Sequence, residues 1–284
     1  DLILLLGGRL SEIETARYTQ LCKNDPARKF IQAGALDDEF GEVLVPDLAI
    51  TTDMEALGEM LAELPRRNKT PWADDRQRIR ESYAKYRRPV DFGDLRNPGI
   101  AVAALSKALP DDVIVCGGAG NYTHFFLRHH NYKATGTLLA PLSGPMGYSI
   151  PSAISAAMAR PGSETLAYVG DGCFFMNPQE LVIAVKRKLP VTVVMFNNGI
   201  YGSIRMHQEL NPAGRVVATT LDNPDFQVFA KSFGIPSVQL TDPSEVVSAR
   251  ETLRAKTKGP IFIELVTDPE VITTQRTLTQ IRKK

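Results

Sequence analysis

Two uninterrupted apolar runs, Thr165-Leu166-Ala167-Tyr168-Val169 and Val191-Thr192-Val193-Val194-Met195-Phe196, stand out from the mixed polar and apolar positions around them. Short runs with no polar face predict strands buried on both sides. Between them Glu180-Leu181-Val182-Ile183-Ala184-Val185-Lys186 is amphipathic, and Pro190 ends it before the second run. Strand, helix and strand in that order predict a βαβ unit, whose crossover sets the strands parallel. Gly170-Asp171-Gly172 follows the first run, and Asn197-Asn198 follows the second. The unit therefore places Asp171 and Asn198 just past the carboxyl ends of two strands in one sheet. Open α/β sheets bind ligands along that edge.

The α/β pattern extends in both directions. Leu2-Ile3-Leu4-Leu5-Leu6-Gly7-Gly8 reads as an interior strand of a parallel sheet. Ser11 to Cys22 is a helix candidate capped by Ser11, Lys29 to Gln32 a second strand, and a third is expected within Gly41 to Ile50. Thr52-Asp53-Met54-Glu55 has the capping-box form before a helix through Leu64, which Pro65 stops. Residues 66–90 are charged and read as a surface connection with one short helix. From Pro98 the pattern restarts with a helix over Gly99 to Leu109 and a strand over Val113 to Cys116. Ser149 to Ala159 is rich in Ala and Ser and predicts a closely packed helix. Helices are expected from Gly199 to Leu210 and from Phe226 to Phe233, and a last strand over Ile261 to Leu265. A chain that opens at Asp1, straight into a core strand, is expected to be the C-terminal part of a longer polypeptide.

Composition narrows the class without naming a chemistry. With 284 residues, 43% hydrophobic and 23% charged, this is an ordinary globular composition. A net charge of +1 gives no argument for nucleic acid or for an anionic membrane surface. The basic cluster Arg66-Arg67-Asn68-Lys69 therefore reads as a solvated connection. Cys22, Cys116 and Cys173 are widely spaced, which fits reduced thiols of a cytoplasmic protein. No apolar run approaches the ~20 residues of a membrane span.

The chemistry lies in the βαβ edge. A carboxylate and an amide oxygen suit a hard cation, Mg²⁺ or Ca²⁺, rather than zinc. Glycines on both sides of Asp171 allow backbone N–H groups to approach a phosphate closely. The plain alternative is two unrelated turns, since Gly-Asp-Gly and Asn-Asn-Gly both form turns well. Gly118-Ala119-Gly120 lacks the third glycine of a Rossmann fingerprint, which disfavours a nicotinamide dehydrogenase.

The Gly170-Asp171-Gly172 to Asn197-Asn198 pattern resembles the cofactor motif of thiamine diphosphate enzymes. Gly144-Pro145-Met146-Gly147-Tyr148-Ser149-Ile150-Pro151-Ser152-Ala153 and Gly117-Gly118-Ala119-Gly120-Asn121-Tyr122 are similar to two further segments of the acetolactate synthase branch. The resemblance implies a thiamine diphosphate-binding domain over 97–284, a linker over 66–96, and part of a Rossmann-like central domain over 1–65. It implies Mg²⁺ held by Asp171, Asn198 and the backbone carbonyl of Ile200. Gly120, Asn121, Tyr122, Gly170, Gly172, Cys173, Tyr201 and Gly202 would line the cofactor. Cys173 stands where many relatives carry Ser, and reads equally as a small buried residue. Met146 would prop the cofactor into its bent shape, and the Gly144 carbonyl would accept from the pyrimidine amino group. Without the resemblance, Met146 reads as core filler.

Ser203, Arg205 and His207 fall where the family reads its substrate, and the resemblance implies that Arg205 could pair with a 2-oxo acid carboxylate. An exposed Arg on an amphipathic helix is the equal alternative. Ser203 and His207 replace the Met and Trp of true acetolactate synthases. The implied reaction is decarboxylation of a 2-oxo acid followed by carboligation, with this chain carrying the cofactor-anchoring half. An N-terminal pyrimidine-binding domain of a partner subunit would complete the site, in a homodimer or homotetramer. FAD is not expected. The alternative is a noncatalytic or regulatory subunit of the same fold.

Overall fold

The computed structural model describes residues 2–12, 14–20, 28–65, 72–211 and 214–283. The chain divides into two compact units, residues 1–74 and 75–284.

The first unit carries β1 (Leu2–Leu6), β2 (Lys29–Gly34), β3 (Leu48–Thr51) and α1 (Met54–Ala62). The strands form one parallel sheet in the order β1-β2-β3. The apolar run at Leu2 is thus parallel as expected, but it lies at the edge of the sheet among the described residues. Leu2, Leu4 and Leu6 on one side of the pleat are exposed. The helix expected from Ser11 does not form over the described residues. Ala16, Arg17 and Tyr18 have φ of 48°, 61° and 60°, outside the right-handed helical region. Thr15 Oγ1 donates to the Ser11 carbonyl (2.7 Å) and accepts from the Tyr18 N–H (3.0 Å), so a side chain takes up groups that a helix would pair. Cys22 and the basic cluster at 66–69 lie outside the described residues. Asp53, rather than Thr52, caps α1, accepting from Glu55 and Ala56 N–H at 2.9 and 3.0 Å.

The second unit begins within α2 (Ala73–Tyr86), which at 14 residues is longer than the short helix expected and buries none of them. Its end is tied down by Arg128. The guanidinium lies 4.0 Å from the Tyr86 ring centroid and donates to the Tyr86 carbonyl, and also to Thr274. There follow α3 (Pro98–Ala108), β4 (Ile114–Cys116), α4 (Thr123–His129), β5 (Leu138–Leu139), α5 (Ser149–Ala159) and β6 (Thr165–Gly170). Next come α6 (Asp171–Phe174), α7 (Leu181–Arg187), β7 (Val191–Asn197), α8 (Gly202–Leu210) and α9 (Phe226–Ser232). The unit closes with β8 (Ser237–Leu240), α10 (Val246–Arg254), β9 (Ile261–Val266) and α11 (Leu278–Arg282).

All strands of the second sheet pair in parallel, in the order β5-β4-β6-β7-β9-β8. Alternate residues of its strands enter two separate cores, which is why the sequence runs are apolar throughout. Ala167, Val169, Val193, Met195 and Phe262 meet α5, α7 and α9 on one face. Leu166, Tyr168, Val194, Phe196, Ile261 and Ile263 meet α3, α4 and α10 on the other. On this second face Phe126, Tyr168 and Phe196 stack in succession at 5.3 and 5.6 Å between centroids. No described helix is long and apolar enough to cross a membrane.

Gly117, just past β4, is required by this aromatic packing. A Cβ there would lie 2.0 Å from Cζ at the tip of the Phe126 ring, whose face stacks on Tyr168. Gly117→Ala is expected to destabilise the fold by about 1–3 kcal/mol through overpacking, read from the midpoint of denaturant unfolding.

Candidate functional site

The chain reverses its direction across the sheet between β4 and β6. From β4 it steps outward to β5, then returns to the other side of β4 and proceeds to β7. The loops after β4 and β6 leave such a switch point in opposite directions and open a crevice at the carboxyl edge. A cavity of about 210 Å³ lies there, well above the ~10–15 Å³ that a single water needs. Its lining joins the loop after β4, the loops after β6 and β7, the start of α8 and Met146.

Asp171 is the first residue after β6 and is 3% exposed. Three backbone and side-chain donors hold its carboxylate. Gly172 N–H reaches Oδ1 at 3.0 Å, while Gly199 N–H and Asn223 Nδ2 both reach Oδ2 at 2.8 Å. Burial pushes the carboxyl pKa up, and the bonds from Asn223, Gly172 and Gly199 oppose that shift. A carboxylate has about four acceptor directions, so one remains for a cation. Asn198 also lines the cavity, with Oδ1 accepting from the Ile200 N–H at 3.2 Å. Ile200 is held by a bridge to Thr220, flanked by Tyr201 N–H to Thr219 O and Leu221 N–H to Gly199 O, both 2.8 Å. No cluster of three His, Cys, Asp or Glu occurs among the described residues. One buried carboxylate with amide and backbone oxygens fits a hard cation that draws its other ligands from water and phosphate.

The glycines have a packing role as well. A Cβ on Gly172 would meet the Tyr201 ring at 2.7 Å, and one on Gly170 the Tyr122 ring at 2.9 Å. Two tyrosines thus close against the backbone on either side of Asp171.

The family described as thiamine pyrophosphate enzyme, C-terminal TPP binding domain, matches residues 118–265, just over half of the chain. The chain belongs to the thiamine pyrophosphate enzymes. It is 28% identical to the acetolactate synthase large subunit of Corynebacterium glutamicum, over 94% of this chain and 44% of that protein. It is 27% identical to the acetolactate synthase isozyme 2 large subunit of Escherichia coli, over 94% and 48% respectively. Acetolactate synthase 1, chloroplastic, of Oryza sativa is 27% identical, with 43% of its length covered. The chain spans about half the length of these relatives.

Of the residues that sequence reasoning placed at this thiamine pyrophosphate enzyme's site, the cavity collects Gly120, Asn121, Tyr122, Met146, Gly170, Asp171, Gly172, Cys173, Asn198, Ile200, Tyr201, Gly202 and Ser203. Gly144, with φ of 65°, is outside the lining. Several of the collected side chains are already engaged within the protein. Cys173 Sγ donates to the Ala119 carbonyl at 2.9 Å. Ser203 Oγ accepts from the Asn121 N–H and donates to Asn121 Oδ1, both at 2.9 Å. Asn121 Nδ2 donates to the Ile272 carbonyl at 3.1 Å. Ser203 therefore pins the loop after β4 to α8.

Arg205 and His207 do not line the cavity. Arg205 Nε is bound to Glu209 at 2.7 Å, and Arg282 of α11 binds the same carboxylate. His129 and His130 are buried away from the cavity, and His129 Nδ1 pairs with the Arg87 carbonyl at 2.7 Å. Sequence reasoning missed Asn223, Thr267, Val271 and Ile272. Asn223 is 52 positions from Asp171, and no local pattern marks it.

The Glu209 pair gives a pH prediction. Arg282 and Arg205 hold the Glu209 carboxyl down to about 2, from a usual 4.5. A carboxyl lowered by folding stabilises the fold above its usual value, and that contribution is lost as pH falls toward the lowered one. Acidification from 4.5 to about 2 is expected to lower the protection of α11 amides against hydrogen exchange, measured relative to the intrinsic rate at each pH, ahead of the sheet. Glu209→Gln should bring the lowered α11 protection to neutral pH.

Proposed function

We propose that this chain anchors thiamine diphosphate through Mg²⁺ for the decarboxylation of a 2-oxo acid and carboligation of the product, as in the acetolactate synthases it resembles. The observation that carries this reading is the placement of Asp171 and Asn198 at the ends of adjacent parallel strands, in one cavity with the Gly120 loop and Met146. Asp171 Oδ1, Asn198 Oδ1 and the Ile200 carbonyl would hold the metal. Cys173 would offer its backbone N–H to the diphosphate, beside Gly120, Asn121, Tyr122, Tyr201, Gly202 and Gly172, whose own N–H is held by Asp171 Oδ1. Met146 would support the bent cofactor, with the Gly144 carbonyl accepting a hydrogen from its amino group. Phe125, Phe196, Val271 and Ile272 give the cavity apolar walls that exclude water from the reacting atoms. When bound, thiamine diphosphate supplies the electron sink that 2-oxo acid decarboxylation needs.

In this reading residues 97–284 form the diphosphate and metal domain, 66–96 a linker, and 1–65 part of a Rossmann-like central domain. A pyrimidine-binding domain of a partner subunit would complete the site in a cytoplasmic homodimer or homotetramer. The Arg205–Glu209–Arg282 pairing favours a substrate carboxylate bound by groups other than Arg205.

Isothermal titration of the full-length protein with thiamine diphosphate is expected to show binding that requires Mg²⁺ and is lost in Asp171→Ala. Equal affinity in wild type and Asp171→Ala overturns the reading. Met146→Ala should retain the cofactor while lowering CO₂ release from a 2-oxo acid roughly a hundredfold, the scale of a misplaced reacting group.

A further inference from the structure

A hydrogen-bonded chain of side chains leads away from Asp171 into the sheet, and the proposed chemistry does not use it. Glu264 on β9 is 1% exposed. Its Oε1 accepts from Asn197 Nδ2 at 2.7 Å, and its Oε2 from Gln227 Nε2 at 2.9 Å. Asn197, the last residue of β7, accepts at Oδ1 from Asn223 Nδ2 at 2.9 Å. The same Asn223 nitrogen donates to Asp171 Oδ2 at 2.8 Å.

This chain has a polarity. An ionised carboxylate only accepts, whereas an amide accepts at one end and donates at the other. Glu264 therefore admits one orientation of Asn197, with Nδ2 toward Glu264 and Oδ1 toward Asn223. That oxygen in turn admits one orientation of Asn223, with Nδ2 toward both Asn197 and Asp171. Turned over, Asn223 would set its own oxygen against two acceptor oxygens at hydrogen-bond distance. In the orientation observed, Asn223 Oδ1 is buried without a partner among the described residues. The fold leaves that acceptor unpaired rather than reverse the amide.

We infer that Glu264 is a positioning residue for the metal site: through Asn197 and Asn223 it aims a donor at Asp171 Oδ2, which orients the carboxylate toward the cation. The inference rests on the proposed metal site. Partners that orient metal ligands in this way change metal affinity by roughly 10–100-fold when removed.

The test is Mn²⁺ binding, followed by electron paramagnetic resonance in the full-length protein with thiamine diphosphate present. Far-UV circular dichroism and thermal midpoints report the fold separately. Glu264→Leu and Asn223→Ala are each expected to weaken Mn²⁺ binding by about tenfold or more. Glu264→Gln should recover most of the affinity. Its Oε1 still accepts from Asn197, and its Nε2 donates to a reversed Gln227. If Glu264→Gln is as weak as Glu264→Leu, the carboxylate acts by charge and the inference is overturned. Wild-type affinity in Asn223→Ala, with affinity lost in Asp171→Asn, also overturns it and leaves the metal site standing. Retained affinity in Asp171→Asn removes the metal site and the inference together. Where Glu264→Leu does not fold, Asn223→Ala and Glu264→Gln decide.

Discussion

The loops at the carboxyl edge of the second unit meet around the buried carboxylate of Asp171. Asp171 is carried into the interior by β6, and a carboxylate there costs several kcal/mol unless its oxygens are satisfied. Its donors come from three places in the chain: its own neighbour Gly172, the turn after β7 at Gly199, and Asn223 before α9. Satisfying Asp171 therefore requires the loops after β6 and β7 and the segment before α9 to meet at one point. The parallel register of β6 and β7, which pairs Gly170 with Phe196, puts the Gly199 donor within reach.

The walls of the cavity follow from the same constraint. Tyr122 and Tyr201 occupy the space that side chains at positions 170 and 172 would need. Tyr122 also packs edge-on against Phe196, in contact with the core beneath the sheet. Ser203 ties the loop after β4 to α8, and Asn121 ties that loop to Ile272. Behind α8, Glu209 is shared by Arg205 and Arg282, while Ile272, Leu278 and Ile281 pack on Ile200, Met206 and Leu210. The C-terminal segment is thereby joined to the turn that carries Ile200.

In the second unit β4, β6, β7 and β9 and the helices α3, α5, α7, α8 and α9 were legible from local signals, whereas α4, β5, α6, β8, α10 and α11 were not expected. Fully apolar runs marked β6 and β7, Pro190 marked a boundary, and the Ala- and Ser-rich stretch at Ser149 marked α5 with its observed limits. The first unit was less legible. Ser11 looked like a helix cap, but Thr15 pairs with the Ser11 carbonyl and the Tyr18 N–H, and the chain turns left-handed. Leu2 to Leu6 has the apolar content of a central strand and, among the described residues, pairs with β2 alone.

The sequence by itself determined the α/β class, the βαβ crossover and the placement of Asp171 and Asn198 on one sheet edge. These follow from short-range periodicity and from the chirality of parallel connections. Only the tertiary structure decided what the polar groups do there. It turned Arg205 to Glu209, Cys173 to Ala119 and Ser203 to Asn121. It also brought Asn223 and Glu264 to the Asp171 edge. Those partners are set by the order β4-β6-β7-β9 and by the need of each buried donor or acceptor to be met. Spacing along the chain carries neither.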